Sequence, residues 1–356
     1  MKKPVILHCI NHLGLGGAEI LLKNTVKQLD CYDHVICYLK YPHTLATAFN
    51  SSPVYHLNYT SFFKSFQAIQ CIRKIIERHN VDVVHSHLFY STLLARFACS
   101  RKSKLVFTVH NILSKDAFEV NRLSLWAEKL TYKKRHTIVG VSGEVLRDYK
   151  SWVGIKGKSF VLYNYIDDRF FNLRRPIDPN ISSGLRLIAV GNLRRQKNYH
   201  KLIEAFTLLK TVPISLDIYG AGDLEKDLEK ELLYKINEGR LNIRLMGRID
   251  NVADVLSDYH AYIMPSLFEG FGIAPMEAMA AGMPVLLSDL PVFKEIAEDL
   301  PVYFNPTSFS SIADAILYVY NNWTEVISNV NKGRELIKSK ASRDVYVSKL
   351  IRIYNS

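Results

Sequence analysis

The feature that most restricts how this chain folds is a pair that recurs along it: a short, almost wholly apolar run, then a glycine or polar turn that opens a helical stretch. VILHCI, VDVVHSH, KLVFTVHN and TIVGVSG stand in the first half, and LRLIAV, ISLDIYG, IRLMG, AYIMPS and VLLSD in the second. Runs that are apolar at successive positions are strands covered on both faces, the environment of a parallel sheet with crossover helices. The α/β alternation therefore predicts doubly wound domains. A chain of 356 residues is long enough for two of them, each with its own core. Leu173–Ser183, LRRPIDPNISS, breaks the alternation with two prolines and reads as the linker. We expect one Rossmann-like α/β domain over 1–172, a second over 184–338, and a last helix, from Asp344 to Tyr354, within 339–356.

The stretch richest in chemistry is PSLFEGFGIAPMEAMAAGMPV, from Pro265 to Val285. It reads as a buried strand ending at a proline, a glycine turn, and a helix stopped by Gly282. Pro275 suits the first helical position, which places Glu277 in the first turn, beside free N–H groups and the positive end of the helix dipole. Such an end binds anions. Gly270 and Gly272 let the backbone approach a ligand closely. The amides of Gly272 to Ala274 would hold an anion, leaving Glu269 and Glu277 to accept hydroxyl hydrogen bonds, an arrangement suited to a phosphorylated sugar.

A second glycine loop, NHLGLGGAEI, follows the first strand, with a helix starting near Ala18. A dinucleotide site is the obvious competitor, but it wants an acidic residue at the end of the second strand, where Lys40 and Tyr41 stand, and Glu19 breaks the glycine register. In the second half, GNLRRQKNYHKL carries Arg194, Arg195 and Lys197 where a helix begins, so that cations could bracket a diphosphate and stabilise a leaving phosphate.

Taken together these motifs resemble the retaining GT-B glycosyltransferases of the large family 4, group 1 type. E-G-F-G-x-x-x-x-E is similar to their signature, Gly16-Gly17-x-Glu19 to their G-G-x-E loop, and V-x-H-N at His110 to the segment whose histidine approaches the donor sugar. KSFVLYNYIDDRFF resembles their strand and turn near the domain junction. The Arg/Lys loop resembles their G-R-x-x-x-x-K element, with one departure: Asn192 stands where the first arginine usually does, and Arg194 would take its role. The resemblance covers both halves in the family's order. It implies two domains facing across a cleft, the first for the acceptor and the second for the nucleotide-sugar donor, with the last helix packing back on the first domain.

The same resemblance implies the roles. Glu269, His110, Arg194 and Lys197 would be catalytic. Gly16 and Gly17 would sit against the donor diphosphate, backbone groups near Arg248 and Ile249 would hold the base, and Gly270, Phe271, Gly272, Ile273 and Ala274 the phosphate and sugar. Glu277 would bind the ribose. The donor would be a nucleotide sugar, UDP-linked by family frequency, and the leaving phosphate would accept the acceptor's proton. The chain has no D-x-D, so we expect no metal and no cofactor. The acceptor would be a saccharide, free or on polyprenyl diphosphate, in bacterial surface polysaccharide assembly.

Composition bears on setting and partners. An odd count of five cysteines with no C-x-x-C argues for reduced thiols and against a zinc ribbon. The apolar start is cut by His8 and Asn11, so it is a strand, not a signal peptide. No segment is apolar for long enough to span a bilayer. We therefore expect a cytoplasmic protein, at the inner face of the membrane if its charge is used there. The net charge of +12 is uneven: 26 Lys+Arg against 12 Asp+Glu through Pro176, then 20 against 22. Five basic or titratable groups crowd KLTYKKRH, Lys129–His136. A basic half suits an anionic membrane or a phosphorylated lipid, and Tyr59, Phe62, Phe63 and Lys64 would add an apolar membrane or acceptor surface. No recognition motif supports nucleic acid.

Several lesser expectations follow. Phe66, Ile69, Ile72 and Ile76 read as core. The segment Ser114–Tyr132 reads as a helix carrying Leu123, Trp126 and Leu130 inward. The loop between Tyr41 and Val54 is a candidate acceptor lid. Ser142 caps a helix. His85 and His87 suggest zinc only weakly, since no carboxylate or cysteine completes a ligand spacing, and a strand-end histidine is usually structural. The rival functions are a GT-B epimerase, which would want further carboxylates in the first domain, and a scaffold with a dead site, which intact Glu269, Glu277 and Lys197 argue against.

Overall fold

The computed structural model describes residues 2–115, 122–173, 181, 183–222 and 226–356. The chain divides into two compact units, Met1–Asn164 with Asp344–Ser356, and Tyr165–Arg343. The fold class is as expected: each unit is a parallel sheet wrapped by helices.

Among the described residues of the first unit are strands β1 (Val5–Ile10), β2 (Asp33–Tyr38), β3 (Val54–His56), β4 (Val83–His87), β5 (Lys104–Val109), β6 (Thr137–Gly140) and β7 (Ser159–Val161). They form one sheet in the order β3-β2-β1-β4-β5-β6-β7, every pairing parallel. The order reverses between β1 and β4, which opens a crevice beyond their carboxyl ends.

Residue parity sorts the two faces of this sheet. Val5, Leu7 and Cys9 join Val35, Cys37 and Val84 in a core with Ile72 and Ile76, from the helix Ser65–His79. That helix ends where Asn80 turns left-handed at φ 49° and its N–H returns to the last turn. Phe66 does not share the core: at 73% exposed it lies outward, a correction to the helical-spacing argument. The other face carries Ile6, His8 and Ile10 and, on neighbouring strands, His34, Ile36, His85 and His87. It also meets the last helix, Arg343–Asn355: Tyr354 Oη lies 2.7 Å from His85 Nδ1, and Tyr346 Oη 3.1 Å from Thr25 Oγ1.

The helix Arg122–Thr131 also corrects an expectation. Leu123, Trp126 and Leu130 are 79%, 66% and 70% exposed. The stripe that faces inward is Leu125, Glu128 and Tyr132, because a buried cation demands a partner there. Arg96 is inside, its Nη1 2.6 Å from Glu128 Oε2, its guanidinium over the rings of Phe107 and Tyr132, and Tyr149 Oη donates to the same carboxylate oxygen. An uncompensated buried guanidinium costs several kcal/mol, of the order of 3–5 on removal of one partner, so the helix cannot turn Glu128 away from Arg96 without a large loss. The part of the expected helix over 116–121 lies outside the described residues.

The described strands of the second unit are β8 (Leu185–Val190), β9 (Ile214–Tyr219), β10 (Ile243–Gly247), β11 (Ala261–Met264), β12 (Val285–Ser288) and β13 (Val302–Phe304). They pair in parallel as β10-β9-β8-β11-β12-β13, with the reversal between β8 and β11. Residues 165–172, which the sequence reading places in the first domain, make their contacts here. Ile166 N–H donates to Ala341 O at 2.8 Å, Arg343 pairs with Asp168 at 3.0 Å, and Arg169 Nη1 donates to Asn251 Oδ1 at 3.1 Å. Most of the expected linker, 174–180 and 182, is outside the described residues. Among those residues, no helix is long and apolar enough to cross a membrane.

Candidate active site

Two loops leave the crevice between β8 and β11 in the second unit, Gly191–Asn198 and Pro265–Gly272. They are tied to one another before any ligand is considered. Leu267 N–H donates to Gln196 O at 2.9 Å, and Gln196 Nε2 to Phe268 O at 2.8 Å. Asn198 holds a left-handed conformation at φ 57° and is buried, donating from Nδ2 to Pro265 O at 3.0 Å and Pro306 O at 2.7 Å. Asparagine tolerates that backbone region better than most side chains. The result is that Lys197, from the end of the first loop, reaches Glu269, from the middle of the second. Their Nζ and Oε1 are 2.7 Å apart, and Ser266 Oγ donates to the same oxygen at 2.7 Å. Both side chains are largely buried, at 18% and 9% exposure.

The helix after Glu269 begins earlier than expected. It spans Ile273–Ala280, so Pro275 is its third residue and Glu277 its fifth, in the second turn rather than the first. Gly272 precedes it at φ 81°, and a Cβ there would stand 2.5 Å from Phe293 Cε1. Only glycine fits both conditions. Gly270 and Phe271 are buried, and Ile273 and Ala274 half-buried, at the helix start. Glu277 is half-buried, and its carboxyl is pushed up to about 7 by burial, eased by Arg169 and reinforced by Asp167. Arg194 is half-buried at the entry to the Arg195–Lys197 turn, while Arg195 is exposed and faces Glu231 at 3.8 Å. Arg248, exposed, and Ile249, half-buried, follow β10 at the outer edge of the sheet, with β9 between them and β8.

In the first unit, the helix after the glycine loop starts at Gly17, with Gly16 as its cap. Glu19 turns back on this loop. It lies 3.1 Å from His12 Nδ1, is buried, and has its carboxyl raised by that burial against the pull of His12. A Cβ on Gly16 would collide with Glu19 Oε2. The Tyr41–Val54 loop is tied to the same place: Leu13 N–H donates to Pro42 O at 2.9 Å, Leu45 N–H to Leu13 O at 2.8 Å, and Phe49 is buried. His110 follows β5, its Nε2 3.3 Å from His87 Nδ1, its ring lowered to about 4 by burial.

His8, His85 and His87 each offer a nitrogen within 4.8 Å of the others'. Both nitrogens of His85 already have partners, Tyr354 Oη at 2.7 Å and Thr108 Oγ1 at 2.8 Å, and His8 Nε2 meets His34 Nδ1 at 3.1 Å. His85 is therefore fully engaged, whereas His8 Nδ1 and His87 Nε2 are buried without a hydrogen-bond partner among the described residues. Sequence reasoning missed Ser266, Gln196 and Asn198. Only Asn198 left a trace, as an asparagine directly before a helical stretch; the other two act through loop geometry that no local pattern encodes.

Two family models match the chain: glycosyltransferase family 4 over residues 15–170 and glycosyl transferases group 1 over 177–341. Together they take in most of it. Among curated relatives, the capsular polysaccharide biosynthesis glycosyltransferase CapH of Staphylococcus aureus is 26% identical over 317 residues, 85% of each chain. The O-antigen biosynthesis glycosyltransferase WclY of Escherichia coli is 24% identical over 261 residues, 68% of this chain and 70% of that one. Among solved structures, Anabaena HepE in complex with UDP and glucose superposes with a TM-score of 0.86 over 99% of both chains at 18% identity. A glycosyltransferase from Rickettsia africae superposes at 0.82, over 100% of this chain and 98% of that one, at 18% identity.

Proposed function

The chain belongs to the group 1, family 4 glycosyltransferases of GT-B fold, and from that premise we propose that it moves a sugar from a UDP-sugar, with retention, to a saccharide or polyprenyl-diphosphate-linked saccharide during assembly of a bacterial surface polysaccharide. The observation that carries this reading is the contact of Lys197 with Glu269, 2.7 Å long, in the switch-point crevice and directly before the helix Ile273–Ala280. The UDP bound to HepE and the polysaccharide roles of CapH and WclY support the donor and the product class.

In the reaction as we read it, the bond from the anomeric carbon to the donor's β-phosphate breaks and a bond to the acceptor oxygen forms on the same face. The acceptor proton goes to the leaving phosphate. Lys197, Arg194 and the amides of Gly272 to Ala274 oppose the charge that develops there. Engaged by the phosphate, Lys197 would release Glu269, which with the Gly270–Gly272 amides orients the sugar hydroxyls. Glu277 accepts from the ribose diol, Arg248 and Ile249 hold the base through backbone groups, and Phe271 packs beneath the donor. His110, neutral at physiological pH given its lowered pKa, approaches the sugar, and Gly16 and Gly17 face the diphosphate. These residues supply enough positive charge that we expect no metal requirement. The exposed aromatic and basic groups of the first unit support peripheral contact with the anionic inner face of the membrane.

Calorimetric titration with UDP, GDP, ADP and NAD in EDTA, on the native protein and on Glu277→Ala, tests the donor site. UDP is expected to bind without metal and to weaken at least tenfold in the variant. Binding of NAD alone, or of nothing, would end the transferase assignment of this crevice.

A further inference from the structure

The reading above uses the carboxyl ends of the strands and leaves the opposite edge of the first sheet unexplained. There, at the amino ends of β5 and β6, lies a cavity of about 740 Å³. Its described lining carries Arg101, Lys102, Lys104, Lys134, Arg135 and Lys158 and no Asp or Glu side chain. Two of these cations are partly engaged. Lys104 Nζ donates to the main-chain oxygens of Ile353, Tyr354 and Ser356 at 2.7, 3.1 and 2.9 Å and to Ser356 Oγ at 3.2 Å, and Arg135 Nη2 donates to Cys99 O at 3.1 Å. Their partners include no acidic side chain, and the described lining sets six cationic side chains against none from Asp or Glu. Lys104 registers the crowding: burial and the neighbouring Lys158 both hold its ammonium below the usual lysine range.

A second observation is independent of the lysines. His136 also lines the cavity and is 1% exposed. Its Nδ1 accepts the N–H of Lys133 at 3.2 Å, so the neutral ring carries its proton on Nε2. That buried Nε2 has no hydrogen-bond partner among the described residues. A buried donor left without an acceptor is costly, about 1–3 kcal/mol, and native structures rarely retain one without a reason. The ring thus lies beside a cationic cavity as a neutral group whose titration reports any anion that enters.

We propose that this cavity binds a phosphoryl group, with Arg101, Lys134 and Lys158 supplying charge and the buried His136 ring behind its wall, close enough to feel that charge. The phosphoryl group has two sources, a free phosphate compound or a lipid headgroup. The second is within reach because the helix with the exposed Leu123, Trp126 and Leu130 runs directly into Lys133–Arg135. The site involves none of the residues assigned to the donor, and its lipid alternative deepens the membrane reading of the basic stretch Lys129–His136.

The test is calorimetry on the full chain with pyrophosphate at fixed ionic strength, together with the NMR titration of the His136 ring. Pyrophosphate also fits the donor crevice, so Lys197→Ala and the double variant Lys134→Gln/Lys158→Gln are compared. Both of the changed side chains in the double variant are exposed. We expect a saturable pyrophosphate site that survives Lys197→Ala, weakens at least tenfold in the double variant, and raises the pKa of His136 when filled. Sedimentation with phosphatidylcholine vesicles, with and without phosphatidic acid, separates the sources. Binding that needs phosphatidic acid and is competed by pyrophosphate assigns a headgroup; pyrophosphate binding without vesicle binding assigns a soluble phosphate. Loss of all pyrophosphate binding in Lys197→Ala, with His136 unmoved, would overturn the proposal.

Discussion

At the residue scale, the site depends on side chains that never touch the donor in the proposed reaction. Asn198 performs two jobs: it accepts a left-handed backbone at φ 57°, and it ties its loop to the second loop through Pro265 O and to the segment after β13 through Pro306 O. Asn198→Gly keeps the first job and loses the second, at about 1–2 kcal/mol. Asn198→Ala loses both and should cost roughly 1 kcal/mol more for the backbone strain. Urea unfolding of the two variants reads the difference, and equal stabilities would show that conformation is irrelevant there. Glu277 makes a pH prediction. With its carboxyl pushed up to about 7, it is mostly protonated at pH 6 and mostly ionised at pH 8. If the ionised form accepts from the ribose, UDP affinity rises about tenfold over that interval, the change in the ionised fraction. Glu277→Gln, measured alongside, removes the phosphate's own titration from the comparison. Identical pH profiles for the two proteins would remove Glu277 from the ribose. These residues were unequally legible. Glu269, Lys197 and Glu277 stand in motifs whose spacing suggested their roles, whereas Gln196 acts by meeting Phe268 from the other loop, 72 positions away, and Ser266 by an irregular turn that folds it onto Glu269.

At the element scale, the strands were legible because a parallel sheet buries both faces and so leaves unbroken apolar runs. Ser142 was legible as a cap, and its Oγ accepts from Val145 N–H at 3.2 Å. The starts of helices were less so: the helix Ile273–Ala280 begins two residues before the proline that seemed to open it, because Gly272 and not Pro275 sets the turn. The helix Arg122–Thr131 was misread in orientation. Its apolar residues have helical spacing, but spacing does not say which face is inward when a buried Arg96 waits on the other side for Glu128. The two orientations predict different outcomes for Trp126→Ser/Leu130→Ser. A core stripe would lose several kcal/mol, of the order of 3–5 for the tryptophan alone. The exposed stripe of the structure should lose little, within about 0.5 kcal/mol per substitution. We expect near-native unfolding and, on the membrane reading, at least fivefold weaker sedimentation with anionic vesicles. Unchanged sedimentation would move that contact elsewhere, for instance to the exposed Phe62 and Phe63.

At the scale of the whole molecule, the two units hold ionisable groups of opposite character, and acid should therefore act on them with opposite signs. In the first unit, His8, His34, His85, His87 and His110 are all held below the ordinary histidine range, chiefly by burial. The unfolded chain protonates these rings near pH 6.5 while the folded unit does not. It is the unfolded state that takes up protons as pH falls, and stability is lost. For a ring lowered to about 4, like His110, the loss between pH 7.5 and 5.5 is roughly 1 kcal/mol. The first half's excess of basic residues, 26 against 12, adds repulsion as each ring charges. Glu19 opposes the trend, since its raised carboxyl gains a proton in the folded unit, but it is one group against five. In the second unit, Glu277 is raised to about 7 and the folded state takes up the proton first, so that acid relieves a buried charge, with His200, lowered chiefly by burial, as a histidine there that opposes it. A single unfolding curve would mix the two responses, because a chain of two units need not unfold in one step. Hydrogen exchange read by mass spectrometry separates them. Protection factors, normalised for the intrinsic exchange rate, should fall about tenfold or more in β1 and β4 between pH 7.5 and 5.5, as about 1.4 kcal/mol is a factor of ten. Those of β8 and β11 should hold or rise. If β1 and β4 keep their protection at pH 5.5, the histidine-lined face is not the buried, neutral layer that the strand register makes of it.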